Sequence, residues 1–347
     1  MNRVCLIDVS NSAHSTTYLM SASESVSKIG LEPIIVTSAG NPGRSQLTGM
    51  VVDVKMNYGS RLARLQNAVR LSLAVCSVDS HFAYHVTVTD HSLLGYGACR
   101  PRFWKNEYAH WMHGPTLDSG LNVVNSQYKK SFSFNWASEI GHFAPTSLGN
   151  LPVPTHKFPD VTNINLDHEH VDSADLRKPW SVGIVGNMSK YKGLLDFIRT
   201  ADKSSNSLTY LVAGNIPYWV YSEADKRTIA EFLAKPNVTH VDGYINDGHE
   251  LNSLLSRCRM IWVAYDKFPH SSNILVKCSH FGIPVIANDY GLIGTAVSEY
   301  RLGVFHKDTF DACFDYLSKH KSIGESYANQ NSQTALDRLF ERLLNQQ

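Results

Sequence analysis

One stretch of this chain, residues 260–288, constrains the fold more than any other. Residues 260–265 (MIWVAY) are apolar, β-branched and aromatic, which is typical of a buried parallel strand. Apolar residues then recur at helical spacing from Asn273, until Gly282 and Pro284 prevent the helix from continuing. Residues 285–287 (VIA) begin another strand. The pattern predicts a β-α-β unit of a parallel sheet.

The start of the predicted helix has the character of an anion site. Ser271, Ser272 and Asn273 are all good N-cap types, and Lys277 lies one turn further on. A helix that opens at the carboxyl end of a strand directs backbone N–H groups and its dipole toward a phosphate. An ordinary β-α-β unit of any parallel sheet is the alternative, but the serine-rich cap followed by a lysine favours phosphate.

The run Phe281–Ala287 (FGIPVIA) resembles the donor-binding segment of retaining glycosyltransferases with the GT-B fold, closest to glycosyltransferase family four. The resemblance implies an α/β protein with two Rossmann-like domains facing each other across a cleft. The family's two glutamate positions are occupied here by Pro269 and Lys277, and a lysine there is expected to bind phosphate instead of supporting a hydroxyl. The donor contacts that the resemblance implies in this segment are Ser271, Ser272, Asn273, Ile274 and Lys277.

A second motif follows the predicted strand 182–185. The turn 186–193 (GNMSKYKG) resembles the family's G-R-x-S-x-x-K-G turn, whose arginine and lysine meet the diphosphate; Asn187 and Lys192 hold those positions here. A plain βα turn with solvated lysines is the alternative. The resemblance also implies donor contacts at Gly214, after the next strand, and at Tyr244 and Ile245, in the loop where the family contacts the base. Residues 290–294 are predicted to form a glycine-bounded loop beside the donor.

The first half of the chain also begins as strand, loop, helix and strand, with strands predicted at 4–9 and 33–37. It lacks G-x-G-x-x-G, which disfavours a dinucleotide site. Later strands end in polar groups on the edge of the sheet where ligands bind. The resemblance points to His113 as the residue that faces the sugar from the first domain, with Asp90 and His91 as second choices and His14 on the acceptor side. Each of these also suits an ordinary turn.

Domain organisation follows from a change of character between residues 141 and 179. Five prolines and many Asn, Asp and His residues predict a loop-rich linker there, and the strand pattern restarts at Trp180. We therefore expect an N-terminal, acceptor-side Rossmann-like domain at 1–160 and a nucleotide-sugar-binding domain at 161–330. Residues 331–347 contain an amphipathic helix that can cross back to the first domain.

Composition narrows the remaining function classes. The chain has 347 residues and a net charge of +1, so no overall basic field points to nucleic acid. No segment reaches eighteen apolar residues, and the N-terminus is too quickly polar for a signal peptide. Six cysteines lack a C-x-x-C pair, which fits a reducing compartment. Sixteen histidines include no H-E-x-x-H, and no D-x-D follows a strand, so no metal or bound prosthetic group is expected.

The resemblance implies a glycosyltransferase that moves a sugar from a nucleotide-diphosphate donor (UDP-, GDP- or dTDP-linked) to an acceptor hydroxyl. The expected acceptor is a saccharide, lipid-linked or other glycan, in polysaccharide or glycoconjugate synthesis. The resemblance implies retention of configuration, for which the leaving phosphate can take the proton. The expected location is cytoplasmic, including peripheral contact with the inner face of a membrane. Two alternatives stay open: a nucleotide-sugar epimerase of the same fold, and a degenerate nucleotide-sugar-binding protein.

Overall fold

A computed structural model gives the architecture of the protein. It describes residues 3–9, 13–41, 44–47, 49–57, 61–80, 82–88, 106–111, 137–143, 154–162, 164, 179–320 and 324–345. These residues divide into two compact units. The first unit holds the described residues up to 162 together with those from 331 onward, and the second unit holds residues 164 and 179–330.

The described residues of the first unit form a parallel sheet of seven strands in the order β3-β2-β1-β4-β5-β6-β7. Side chains alternate between the two faces of β1, because successive residues of a strand point to opposite sides. Val4 and Leu6 pack into one core cluster and Cys5 and Ile7 into the other. The strands are β1 Arg3–Asp8, β2 Glu32–Ser38, β3 Met50–Val54, β4 Phe82–Val88, β5 Asn106–Trp111, β6 Glu139–His142 and β7 Thr155–Lys157.

Helices cover both faces of this sheet. Helix α1 (Ala13–Lys28) packs on the face of Val4 and Leu6, and α2 (Arg61–Cys76) packs on the opposite face. The C-terminal helix, Gln333–Asn345, lies beside α1, although the whole second unit precedes it in the chain. It buries an apolar stripe at helical spacing, made of Leu336, Leu339, Phe340 and Leu343.

A polar relay that runs from exposed Arg342 to buried Tyr84 fixes the C-terminal helix to the sheet. Arg342 donates to the Glu139 carboxylate, and Glu139 accepts a 3.0 Å hydrogen bond from Nδ1 of His156. The other ring nitrogen, Nε2, lies 3.0 Å from the Tyr84 hydroxyl. Burial lowers the pKa of His156, so its neutral form donates from Nδ1 and accepts from Tyr84. The His156 hydrogen bond, reinforced by Arg342, lowers the pKa of Glu139 from 4.5 to about 2.

In the described part of the second unit, six strands form a parallel sheet in the order β10-β9-β8-β11-β12-β13. Its first strand lies in the middle and the chain winds outward on both sides, which is the doubly wound, Rossmann-like order. The strands are β8 Trp180–Val185, β9 Tyr210–Gly214, β10 Val238–Asp242, β11 Cys258–Val263, β12 Val285–Ala287 and β13 Gly303–Phe305.

Seven helices of the described residues surround this second sheet, and one core cluster lies on each of its faces. A capping box formed by Ser222 and Asp225 starts α4. The helices are α3 Leu194–Asp202, α4 Glu223–Leu233, α5 His249–Ser256, α6 Asn273–His280, α7 Gly291–Tyr300, α8 Phe310–Lys319 and α9 Glu325–Gln330.

Two stretches are more regular than the sequence predicted. The predicted loop-rich linker at 141–179 contains β7 and the end of β6, and Phe158 in it is fully buried, while the division between the two units falls inside it, after residue 162. The supposed loop at 290–294 begins α7, since Tyr290 is its N-cap. In both places Pro or Gly residues suggested loops, whereas pairing with β5 and packing on β12 decided the structure. No helix among the described residues is long and apolar enough to cross a membrane.

Candidate functional site

The strand order of the second unit creates a natural crevice at one place. Strands β8 and β11 lie side by side, but the chain leaves β8 toward β9 and leaves β11 toward β12. Connections that diverge in this way open a gap outside the carboxyl ends of the two strands, where doubly wound proteins bind ligands. The turn 186–193 follows β8, and the segment leading to α6 follows β11. Both sequence motifs therefore lie at the same switch point.

Glycines allow close backbone packing at this edge. Gly186 and Gly214, at the ends of β8 and β9, have φ values of +109° and +130°. A Cβ atom on Gly214 would overlap the carbonyl oxygen of Gly186. A side chain would meet both a strained φ and a steric clash, so the sequence requirement for glycine here has a structural cause.

The turn after β8 is attached to β11. Residues Lys190–Lys192 form one 3₁₀ turn that ends at Gly193 in the left-handed conformation, φ 74°. A Cβ at Gly193 would lie 2.9 Å from the Ala264 carbonyl oxygen. The indole Nε1 of Trp262 donates to the Lys192 carbonyl at 3.2 Å. These contacts hold the Lys192 backbone in place at the switch point.

A row of side-chain contacts joins the two motifs. The Lys192 ammonium donates to the Tyr265 hydroxyl at 2.7 Å and lies 4.1 Å from the ring centroid. The same hydroxyl is 3.3 Å from Oγ of Ser272. Tyr265 is buried and Lys192 is half-buried, so this cation is preorganised at low conformational cost. The sequence singled out Lys192 and Ser272 but not the tyrosine that connects them.

The N-terminus of α6 retains its capacity to bind an anion. Ser272 is the N-cap in extended conformation, yet its side chain makes no capping hydrogen bond, and the first turn contains no acidic residue. The positive end of the helix dipole is therefore not neutralised from within the helix. Ser271 is half-buried beside it, and Ile274 packs into the apolar core with 7% of its surface exposed. Ile274 can therefore contact an anion through its backbone but not through its side chain.

Lys277 occupies a different place from the direct phosphate contact expected from the sequence. Its side chain is fully buried, and its Nζ lies 2.8 Å from Oδ1 of Asp247 and 2.9 Å from Oδ1 of Asn252. Burial lowers the pKa of Lys277, and the hydrogen bond and charge of Asp247 oppose that shift. The ammonium already has two protein acceptors, so the geometry favours a supporting role for Lys277. Direct phosphate binding by this residue stays a prediction.

The remaining donor-side residues differ in how far they are exposed. Asn187 is exposed at the start of the turn after β8. Tyr244 follows β10 and has 72% of its surface exposed, whereas Ile245 packs partly against the core. An exposed ring beside a backbone turn is available for stacking on a flat ligand. Their contacts with a base stay predictions.

The first-unit candidates lie largely outside the described residues. Asp90, His91 and His113 all fall in stretches that the structure does not describe. His14 is the second residue of α1, but its side chain is also outside the description. Within the described ranges, no group of three or more His, Cys, Asp or Glu side chains is arranged to hold a metal ion.

Comparison with known proteins identifies the architecture. No protein-family model matches the sequence, and no curated protein was found to be similar to it. Solved structures do match: Anabaena Alr3699/HepE in complex with UDP has 14% identity, a TM-score of 0.71 and 100% coverage of both chains. Sucrose-phosphate synthase from Thermosynechococcus elongatus has 14% identity and a TM-score of 0.71, and the match covers 100% of this chain and 99% of the synthase. A glycosyltransferase from Rickettsia africae has 14% identity and a TM-score of 0.69, and the match covers 99% of this chain and 98% of that enzyme.

The chain has the GT-B fold. The predicted fold class, α/β with two Rossmann-like parallel sheets, is therefore confirmed. The match to these GT-B structures extends over 98–100% of each chain.

Proposed function

We propose that the chain transfers a glycosyl group from a nucleotide-diphosphate sugar to an acceptor hydroxyl. One observation carries the proposal: Lys192, Tyr265 and Ser272 form a continuous row of contacts across the switch point, in front of a helix N-terminus without a side-chain cap. The same fold in HepE is found with UDP and with UDP-glucose, which supports a nucleotide sugar as the donor.

The arrangement suits the charge that develops in such a reaction. When the bond from the sugar to the diphosphate breaks, negative charge grows on the leaving oxygen. The Lys192 ammonium and the α6 dipole already point to the edge where that charge would form, so no reorganisation is needed during the reaction. We assign the donor to the second unit and the acceptor to the first.

The finer points of the proposal follow from the family-four resemblance. The donor is a UDP-, GDP- or dTDP-linked sugar, and UDP is the first choice because the HepE structures hold UDP or UDP-glucose. We propose retention of configuration, so that the leaving phosphate accepts the proton of the acceptor hydroxyl. His113 is assigned to the sugar, with Asp90 and His91 as substitutes and His14 on the acceptor side. We propose a glycan as the acceptor and a role in polysaccharide or glycoconjugate synthesis. We propose the cytoplasm as the location of the enzyme.

A panel of nucleotide sugars tests it. The protein is incubated with UDP-, GDP- and dTDP-linked sugars, and release of nucleoside diphosphate is followed with and without a mixture of glycan acceptors. We expect binding in a thermal-shift assay and slow release to water that an acceptor accelerates. Binding without any release would identify a nucleotide-sugar-binding protein, and conversion of the sugar without release would identify an epimerase. No binding to any member of the panel would refute the donor site.

A further inference from the structure

A charged pair that neither sequence motif anticipated lies next to the α6 N-terminus. Asp247, in the loop between β10 and α5, forms an ion pair with the buried Lys277 on α6 at 2.8 Å. Its second oxygen, Oδ2, accepts from Nδ2 of Asn273, the first residue of α6, at 3.2 Å. The loop after β10 is thereby joined to the proposed diphosphate site by side chains.

The Asp247 carboxylate is only partly used by the protein. Oδ1 accepts from Lys277 and from the Gly248 amide at 2.9 Å, whereas Oδ2 accepts from Asn273. Each carboxylate oxygen can accept about two hydrogen bonds. The Asp247 side chain is 31% exposed, in contrast to the complete burial of Lys277. A donor from solvent or from a ligand can therefore reach this carboxylate.

The negative charge of Asp247 indicates which group of a ligand can donate a hydrogen bond to it. An ionised carboxylate only accepts hydrogen bonds, so it repels phosphate oxygens and attracts hydroxyl groups. Lys277 offsets its charge, which allows a carboxylate to lie beside a site for a diphosphate. Carboxylates in doubly wound folds bind ribose hydroxyls next to a phosphate held at a helix N-terminus. In a nucleoside diphosphate the ribose bears these hydroxyl groups, and in the sugar-linked donor the transferred sugar bears them as well, so removal of a single ribose hydroxyl separates the two.

We propose that Asp247, held by Lys277 and Asn273, accepts hydrogen bonds from the ribose hydroxyls of the nucleotide. This inference rests on the proposed function and specifies its substrate class as a ribonucleoside diphosphate. A ligand hydroxyl bonded to a charged acceptor contributes to affinity, and an analogue without that hydroxyl loses the contribution. The chain should consequently bind deoxyribose forms more weakly.

Isothermal titration calorimetry with UDP, GDP and their 2′-deoxy and 3′-deoxy forms tests the assignment. We expect the parent protein to bind a ribonucleotide about tenfold or more tightly than at least one deoxy form, and Asp247→Asn to reduce that ratio to about threefold or less. Asp242→Asn, on an exposed residue at the end of β10, is the matched control and should keep the ratio. Equal affinity for ribo and deoxy forms in the parent, or an unchanged ratio in Asp247→Asn, overturns the inference while the proposed function stands. Absence of binding by UDP, GDP and dTDP alike overturns both, whereas binding of dTDP alone overturns only the inference.

A second variant pair separates the role of Lys277 from simple support of the fold. Lys277→Met leaves Asp247 without its counter-charge, so UDP affinity should fall about tenfold or more while uridine affinity changes little. Adding Asp247→Asn to Lys277→Met should raise UDP affinity to about the level of Asp247→Asn alone, because the repulsion is removed. A double variant that binds UDP no better than Lys277→Met overturns the charge-offset role of Lys277.

Discussion

The ammonium of Lys192 lies 2.7 Å from the Tyr265 hydroxyl, although 73 residues separate them in the sequence. This contact connects the turn after β8 to the segment after β11, on the two sides of the topological switch point. A lysine held in this way presents its charge without losing further rotamer entropy when an anion binds.

Lys192→Ala should weaken nucleoside diphosphate binding by about 1–3 kcal/mol, the range for losing a charged hydrogen bond. Calorimetric titration with UDP and GDP measures the change. Lys190→Ala is the matched control, since Lys190 belongs to the same 3₁₀ turn but is exposed. Equal losses in the two variants would show that the turn contributes only general positive charge.

Gly214→Ala should be far more destabilising than Gly243→Ala. Both glycines have strongly positive φ, +130° and +107°, so both substitutions cost about 1–2 kcal/mol in backbone strain. Only at Gly214 does the new Cβ also meet backbone, whereas nothing lies within 4 Å of it at Gly243. The clash should add about 1–3 kcal/mol, measured as free energy of unfolding in urea. Equal stability of the two variants would contradict the close approach of Gly214 to Gly186.

The stability of the first unit should fall in acid through Glu139. Its pKa in the folded protein is about 2, below its ordinary value of 4.5, so the unfolded chain binds the proton first. The Glu139 contribution is therefore complete above about pH 4.5 and is lost as the pH falls toward 2. The difference in unfolding free energy between the parent and Glu139→Gln should shrink between pH 5 and about pH 3 in urea denaturation. A difference that stays constant with pH would exclude the Arg342–Glu139–His156 relay as its source.

Phe340→Ala should destabilise the protein by about 3–5 kcal/mol, the usual cost of emptying a buried aromatic site. Phe340 is fully buried and its ring centroid lies 5.2 Å from that of Tyr84 on β4. The exposed neighbour Glu341, changed to alanine, serves as the control and should alter stability by less than about 0.5 kcal/mol. Similar thermal stability of the two variants would show that the C-terminal helix is not part of the first unit's core.

His113→Ala should reduce turnover by about two to three orders of magnitude while nucleotide affinity stays nearly the same. The reason is that its assigned role concerns the sugar, whereas the nucleotide is assigned to the second unit. Turnover with a defined acceptor and UDP affinity are measured on the same preparations. If His113→Ala retains full activity, Asp90→Ala and His91→Ala decide whether the role passes to either residue.

Short-range patterns predicted the second sheet well. The strand 285–287 and the start of the helix at Asn273 were both predicted at their observed positions, because a Gly-x-Pro stop and a serine-rich cap are local signals. Helix α7 was missed because Gly291 and Gly294 suggest a loop, yet both are buried against neighbouring backbone, where only glycine fits.

Long-range partners explain what the site prediction lacked. Tyr265 appeared only as the last residue of an apolar run, and nothing in that run shows that it meets Lys192. Lys277 was interpreted as a direct phosphate ligand, and the sequence did not show its ion pair with Asp247, which lies 30 positions away in a polar loop. Strand order decides which loops of a doubly wound sheet lie side by side. A single sequence does not show which of their side chains then meet.

The position of the C-terminal helix has a consequence for synthesis on the ribosome. The first sheet emerges early, but residues 333–345, which cover one of its faces together with α1, are made only after the second unit. At typical elongation rates of about 5–20 residues per second, the face around Leu6 and Tyr84 waits roughly 10–40 seconds for this helix. The second unit has all of its own residues before that helix is complete, so the half of the protein that is translated first is completed after the half that follows it.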